Sequence, residues 1–434
     1  MVMGRLSKCC ARARGTVLAM LAASGGFLTL YAQPGRTTLL AEHLRTPRWK
    51  VDGDATKLPI IQLGTHQQLE FSFDDLTHEY RRYTFNIMHC DYLGNQTEDL
   101  FESDYTSNAE TDEVIDDYQP SQNTTVLYNH YSLSIPNQRV RPLKSGNYKL
   151  VVKAEGEDGE EYTVAESCFC VVDPQLRLTA SCTTNTDIDW NAEHQQLTVT
   201  ADLGTLPLRD AQSEFHIVVL QNGRYDNAVI APRPTSQSAQ VLRWEHCRDL
   251  IFEAGNEYRK MEFLSTRYPG MHGESMQWLE GYYNYALFTD APRRNYLYDE
   301  DQNGISVIRS QDTTDPDVEA DYALTHFSLE ALPLADRDVY VNGRWAAGGF
   351  CPTYKMTYNE VSEAYEASIL LKQGYYNYLY LTTEKGGKGK GNTAFAEGNW
   401  FQTENEYTFL SYYRPSGTRY WQMIGATTLK YIRR

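Results

Sequence analysis

From Trp49 onward the chain alternates apolar and polar positions with a period of two. Leu69, Phe71 and Phe73 alternate with Glu70, Ser72 and Asp74, and Tyr83, Phe85 and Ile87 alternate with Thr84, Asn86 and Met88. Such alternation predicts half-buried antiparallel strands with the apolar face toward a core and the polar face toward water. Periodicity stops between residues 91 and 125, where Glu98, Asp99, Glu102, Asp104, Glu110, Asp112, Glu113, Asp116 and Asp117 make an acidic loop, long for a compact domain. Strands resume with Val126-Leu127-Tyr128 and Tyr148 to Val152, and continue to Val172 between regularly spaced turn formers.

Asp173-Pro174 reads as a boundary, after which Leu197 to Thr200 and Phe215 to Leu220 are strands. The second of these ends in Asn222-Gly223, a dipeptide that accepts the positive φ of tight turns. Polar residues around Gln311 to Asp317 read as a linker. Beyond it, Val339-Tyr340-Val341 followed by Asn342-Gly343 and Arg344-Trp345 predicts a two-residue hairpin. Tyr365, Ala367, Ile369 and Leu371 share one strand face, as do Tyr376, Tyr378 and Tyr380. The expected fold is all-β, a row of consecutive immunoglobulin-like (E-set) β-sandwich domains spanning 33–172, 173–319 and 320–434. A length of 434 residues suits three such units at roughly 150 residues per domain.

The first 32 residues have a different character. Arg5, Lys8, Arg12 and Arg14 precede the apolar run Thr16 to Tyr31, the layout of a signal peptide with Ala32 as its last residue. Ser24-Gly25-Gly26 interrupts a run already short for a bilayer span. Cys9 and Cys10 lie ahead of that run, whereas a lipid-anchored cysteine would follow it. Loss of the leader removes four cations and deepens a formal charge of −17, which argues against nucleic acid and anionic lipid as partners. Of eight cysteines, Cys90, Cys168, Cys170, Cys182, Cys247 and Cys351 would enter an oxidising compartment, where disulfides can form in no pattern that spacing alone dictates. Cys168-Phe169-Cys170 lacks a second close pair to complete a thiolate metal site, and on a strand its two thiols would be small buried groups on one face.

Catalytic motifs fail one by one. His78-Glu79-Tyr80-Arg81-Arg82 places Arg82 where a zinc-protease helix needs its second histidine. Gly386 to Asn392 is rich in glycine and lysine but has no Gly-Lys-Ser/Thr, so it reads as a solvated hairpin tip rather than a phosphate loop. Asp299, Asp301 and Asn303 before Gly304 match the opening of a calcium loop, yet the twelfth position is Ser310 instead of a bidentate glutamate. An ordinary acidic turn is therefore the expectation there. No catalytic residue, cofactor or small-molecule substrate is indicated. Trp345 and the tyrosines after it resemble the glycogen-binding type of carbohydrate module, with Trp345 as the stacking candidate for a sugar; a packing role for Trp345 is the simpler expectation.

Several longer wordings carry a further resemblance. They are Gln62-Leu63-Gly64, Leu69 to Leu76, Ile115-Asp116-Asp117-Tyr118, Asn123 to Tyr128, Asn185-Thr186-Asp187-Ile188-Asp189, and the stretch from Arg248 to Gly304 with its Tyr282-Tyr283-Asn284-Tyr285 run. Together they resemble the plug protein of the bacterial type IX secretion translocon, from about Pro59 to Pro415. The resemblance implies a protein without enzymatic activity that sits at the periplasmic face of the outer membrane. It also implies binding to the periplasmic end of a large outer-membrane β-barrel translocon, whose pore is closed when cargo is absent. It supplies no catalytic residues and no contact positions. A periplasmic or surface glycan-binding protein is the alternative expectation.

Overall fold

The computed structural model describes residues 36–108, 112–156, 159–238 and 240–432; the expected signal peptide lies outside them. Strands dominate, and the three α-helices among the described residues, Glu102–Tyr105, Ala211–Glu214 and Pro316–Glu319, each have four residues. No helix of the described residues is long and apolar enough to cross a membrane. The all-β expectation is met.

Residues 37–172 supply two facing sheets. One runs Thr37–Leu39, Glu161–Val172, Gly146–Glu155, Tyr83–Cys90 and Glu113–Val114, with Ile60–Gln62 added parallel to Glu161–Val172. The other runs Leu44–Val51, Leu69–Asp75, Asn129–Ile135 and Asp117–Pro120. Between them the alternating residues form an aromatic core. Phe73 stacks on Tyr131 with centroids 5.5 Å apart, Tyr83 meets Tyr131 edge-on at 4.8 Å, and Tyr148 stacks on Phe169 at 5.2 Å. Each such pair adds a specific geometry to the burial of a large apolar side chain. The acidic segment is not bare loop: the short helix and two short strands lie within it, and Asp112 is held by Lys153 (2.6 Å) and Asn86 (2.7 Å).

The other two sheet systems interleave in sequence. Phe215–Gln221 pairs antiparallel with Asn405–Tyr413 across its whole length, and Gln422–Tyr431 lies beyond. That sheet faces a second one of Arg177–Thr183, His194–Asp202, Val241–Trp244, Ser236–Gln237 and Ile251–Glu253 over a shared core of Val199, Ile217, Trp244, Phe252, Tyr407 and Phe409. A longer path of strands runs Arg259–Phe263, Gly374–Glu384, Arg337–Asn342, Lys355–Asn359, Ala364–Lys372, Tyr322–Glu330, Tyr282–Leu287 and Gly273–Leu279. The expected break between 319 and 320 therefore cuts through both of these systems. Turn-forming residues before Tyr322 signalled a linker, but the strands on either side return to the same sheets, so the second and third units are not consecutive.

Two turn expectations met different ends. Asn222 and Gly223 both have positive φ (53° and 67°), as their sequence requires. Asn342-Gly343 makes no two-residue hairpin: Arg337–Asn342 pairs instead with Lys355–Asn359 and Gly374–Glu384. Gly343 is there for space, since a Cβ would come within 2.6 Å of the Asn377 carbonyl oxygen and 2.3 Å of the Trp345 indole nitrogen.

Candidate functional site

The polar face of the first unit does not face water. Ser72 and Asp74 are buried, and the end of Leu69–Asp75 lies against the end of Ala364–Lys372 and against Tyr322. Asp74 accepts hydrogen bonds from Lys372 Nζ and Tyr322 Oη, both at 2.6 Å, and lies 2.6 Å from His130 Nδ1. Lys372 Nζ also donates to the Asp317 carbonyl (2.7 Å) and sits 4.0 Å from the centre of the Tyr128 ring. Burial pushes the Asp74 carboxyl up, but Lys372 and His130 outweigh it and hold the group below the usual range. The charged form thus persists inside the protein because every oxygen has a donor.

The segment read as a linker closes this seam. Pro316–Glu319 is a short helix capped by Asp315, and Asp317 is gripped by Arg48 and by Lys50 (2.9 Å). Burial opposes the charge on Asp317, yet these two cations hold its carboxyl far below the ordinary value. Asp321 accepts from Thr125 Oγ1 and N (2.7 and 2.8 Å) and from Val126 N (3.1 Å). Charge-assisted bonds therefore tie the first unit to the longest strand path.

A second buried knot lies within that path. Asp290 accepts from Arg259 Nη1 (2.6 Å), Tyr380 Oη (2.7 Å) and Tyr378 Oη (2.9 Å), while Glu397 meets Arg259 Nε at 3.1 Å. Burial raises the Asp290 carboxyl, and His272 and Arg259 bring it down to about 2. Such groups would suit catalysis if a substrate could reach them. One cavity of about 10 Å³ is lined by residues including Gln221, Asn256 and Asn405, room for no more than about one water. A larger hollow of about 540 Å³ at Thr357 to Val361 and Glu366 to Ser368 is open and shallow. In both knots the acids are satisfied by neighbouring cations and hydroxyls that join distant strands.

Candidate site residues from the sequence have other work. Asp301 caps the turn, accepting from the main-chain N–H of Tyr258 and, at 2.6 Å, of Asn303. Asp299 is paired with Lys260. Burial pushes the Asp301 carboxyl up to about 6, the opposite of what a cation ligand needs. Among the described residues no group of three His, Cys, Asp or Glu is placed to hold a metal ion. Trp345 packs edge-on against Tyr376 (5.3 Å) and Tyr354 (5.8 Å) and donates its indole N–H to the Asn377 carbonyl at 2.7 Å. Half-buried in this way, it takes part in the packing of the long strand path. Cys90, Cys168, Cys170 and Cys247 are buried, Cys182 and Cys351 are half-buried, and no disulfide joins any two of the six.

What reaches solvent is apolar in places. Trp190, Leu297, Trp278, Leu279 and Tyr282 are all exposed. Sequence reasoning named the tyrosine run but not the hairpin that displays it. The alternation of Met276, Trp278, Tyr283 and Tyr285 was the available signal.

The family model for the first domain of the type 9 secretion system plug protein matches residues 44–173, the part of the chain that carries the two facing sheets and Asp74. Residues 44–173 are a first domain of the type 9 secretion system plug protein family. Beyond the matched domain, a hypothetical protein from Parabacteroides merdae is 40% identical, covering 92% of this chain and 100% of its own, with a TM-score of 0.87. Interleaved sheets are thus shared with a solved structure. A marsupial T cell receptor and a mixed-linkage glucan utilization protein of Bacteroides ovatus, solved with a heptasaccharide, are each 10% identical. They cover 90% and 81% of this chain, and 99% and 93% of their own. Their TM-scores of 0.16 and 0.09 carry no argument. No curated protein matches. The plug family is a secretion-system family rather than an enzyme family, and membership associates the chain with type IX secretion and the cell envelope.

Proposed function

We propose that the exported chain binds the periplasmic end of the outer-membrane β-barrel translocon of type IX secretion and blocks its pore sterically when cargo is absent. The match of residues 44–173 to the plug family carries this reading. Physical features support it. A plug must resist deformation, and here the first unit is joined to the rest by buried ion pairs while the chain passes back and forth between the other sheet systems. Breaking such pairs one partner at a time is costly, so the units move together. A strongly acidic surface keeps the free protein soluble and off anionic membranes, leaving attraction to a specific partner. The block needs no cofactor or turnover. The glycan alternative has less support, because the Trp345 indole N–H is already donated to the Asn377 carbonyl and its ring packs edge-on against Tyr376 and Tyr354.

Affinity purification of the chain from detergent-solubilised envelopes tests the partner. A large outer-membrane barrel should co-purify in the absence of cargo and be depleted when secretion substrate is in excess. An envelope pull-down without any barrel would contradict the proposal.

A further inference from the structure

Gly273–Leu279 is the last strand of the longest path, paired on one side with Tyr282–Leu287. The two are joined by Glu280 and Gly281, both with positive φ (52° and 84°), a two-residue turn whose flanking pair, Leu279 and Tyr282, exchanges both main-chain hydrogen bonds. Alternation then points the N–H and C=O of Gln277 into the hairpin and those of Met276 and Trp278 outward, where no strand of the described residues pairs with them. On the other side Tyr283 and Tyr285 face Tyr322–Glu330, to which the hairpin is paired in parallel, so only the outer edge is open.

That edge is unguarded. Its sequence, Gly-Glu-Ser-Met-Gln-Trp-Leu, contains neither proline nor lysine, the residues that commonly stop a free edge from pairing. Trp278 and Leu279 are 51% and 52% exposed. Trp278 meets Tyr283 edge-on at 4.9 Å, a stiff apolar shelf beside the open main chain. The hairpin is anchored at its base. Tyr285 Oη donates to the Glu262 carbonyl at 2.6 Å, and a Cβ on Gly273 would fall 2.0 Å from that hydroxyl.

We propose that this edge docks an extended segment of a partner protein, which adds as a further strand with apolar side chains at alternate positions and a lysine or arginine toward each end. Main-chain hydrogen bonds would supply affinity and the shelf would select side chains. Charge decides the occupant. Glu274 and Glu280 are exposed and bracket the open main chain, and neither has an ion-pair partner among the described residues. A second copy pairing antiparallel about Gln277 would set Glu274 opposite Glu280 of its neighbour, and like charges directly opposite oppose pairing. A segment with cationic ends meets complementary charge at both. The inference goes beyond translocon binding and stands or falls separately from it.

Fluorescence anisotropy with the full chain tests this, using as probe a labelled peptide of about ten residues, alternating valine and threonine with a lysine at each end. Saturable binding is expected. Met276→Pro should weaken it by about tenfold or more, since proline removes one outward donor but none of the hairpin's own bonds. The same peptide with glutamate at its ends should bind the parent at least about tenfold more weakly, and Glu274→Lys with Glu280→Lys should reverse that order. The charge-reversed variant changes exposed positions only, so it remains informative if the proline variant misfolds. Failure of the lysine-ended probe to bind, equal binding of the two peptides, or unchanged binding to Met276→Pro would overturn the proposal. So would a concentration-dependent dimer abolished by Met276→Pro, which would make a second copy the occupant.

Discussion

Lys372 and Asp74 each expose only 1% of their side chains, and removing one leaves the other's charge buried without its main partner. Lys372→Met should therefore cost about 3–5 kcal/mol in urea denaturation, while the double variant with Asp74→Leu should recover much of that loss. An unaltered single variant would contradict the described seam. Glu257 gives a pH test. It is buried, and burial, assisted by the nearby Asp301 and Glu404 carboxylates, raises its carboxyl to about 7 against the opposing Tyr296 hydroxyl and Glu404 N–H. Because its folded value lies above the unfolded one, the fold binds the extra proton. Its contribution to stability is fully present below about pH 4.5 and is lost as pH rises through about 7. Glu257→Gln keeps an acceptor for Tyr296 and should stabilise the protein at pH 8 by on the order of 1–3 kcal/mol, flattening the pH dependence between those values. Denaturation curves with the parent's slope against pH would refute it. Asp74 also marks a limit of the sequence. Its place in an alternating strand identified the face but could not say that Lys372, far along the chain, would cover it. Trp345 and Asp301 were legible as packing and turn residues because neither motif was complete.

Among the elements, Asn405–Tyr413 has the widest consequences. It pairs with all of Phe215–Gln221 and contributes Tyr407, Phe409 and Tyr413 to the core of the sheets before it. Truncation after Thr403 should therefore unfold residues 176–253 along with the missing end, seen as loss of their amide-exchange protection. A fragment of residues 174–319 should likewise show no dispersed NMR spectrum, and a folded fragment would contradict the pairing. Gly273→Ala should loosen the hairpin base, lowering the melting temperature by several degrees as the Tyr285 hydroxyl is displaced. Strand positions were readable from period two and from turn residues. Pairing partners were not, because alternation carries no information about which distant strand lies alongside. Asn342-Gly343 misled for a related reason: glycine there serves a close approach to Trp345 and Asn377, and local sequence cannot separate that from a turn.

At the scale of the whole molecule, three sheet systems are joined by chain crossings and a buried polar seam, and the exposed hairpin edge stands apart from both. This arrangement suits a body that obstructs without deforming. The strands and the acidic charge were legible, through alternation and composition, while the interleaving of the sheets was not. The central claim concerns obstruction, so ion flow is the direct readout. The purified barrel, placed in a planar bilayer without cargo, should conduct steadily, and adding the mature chain to its periplasmic side should close it reversibly. The same addition to the extracellular side should do nothing. Conductance that stays unchanged while the chain is shown to be folded and bound to the barrel would contradict the account.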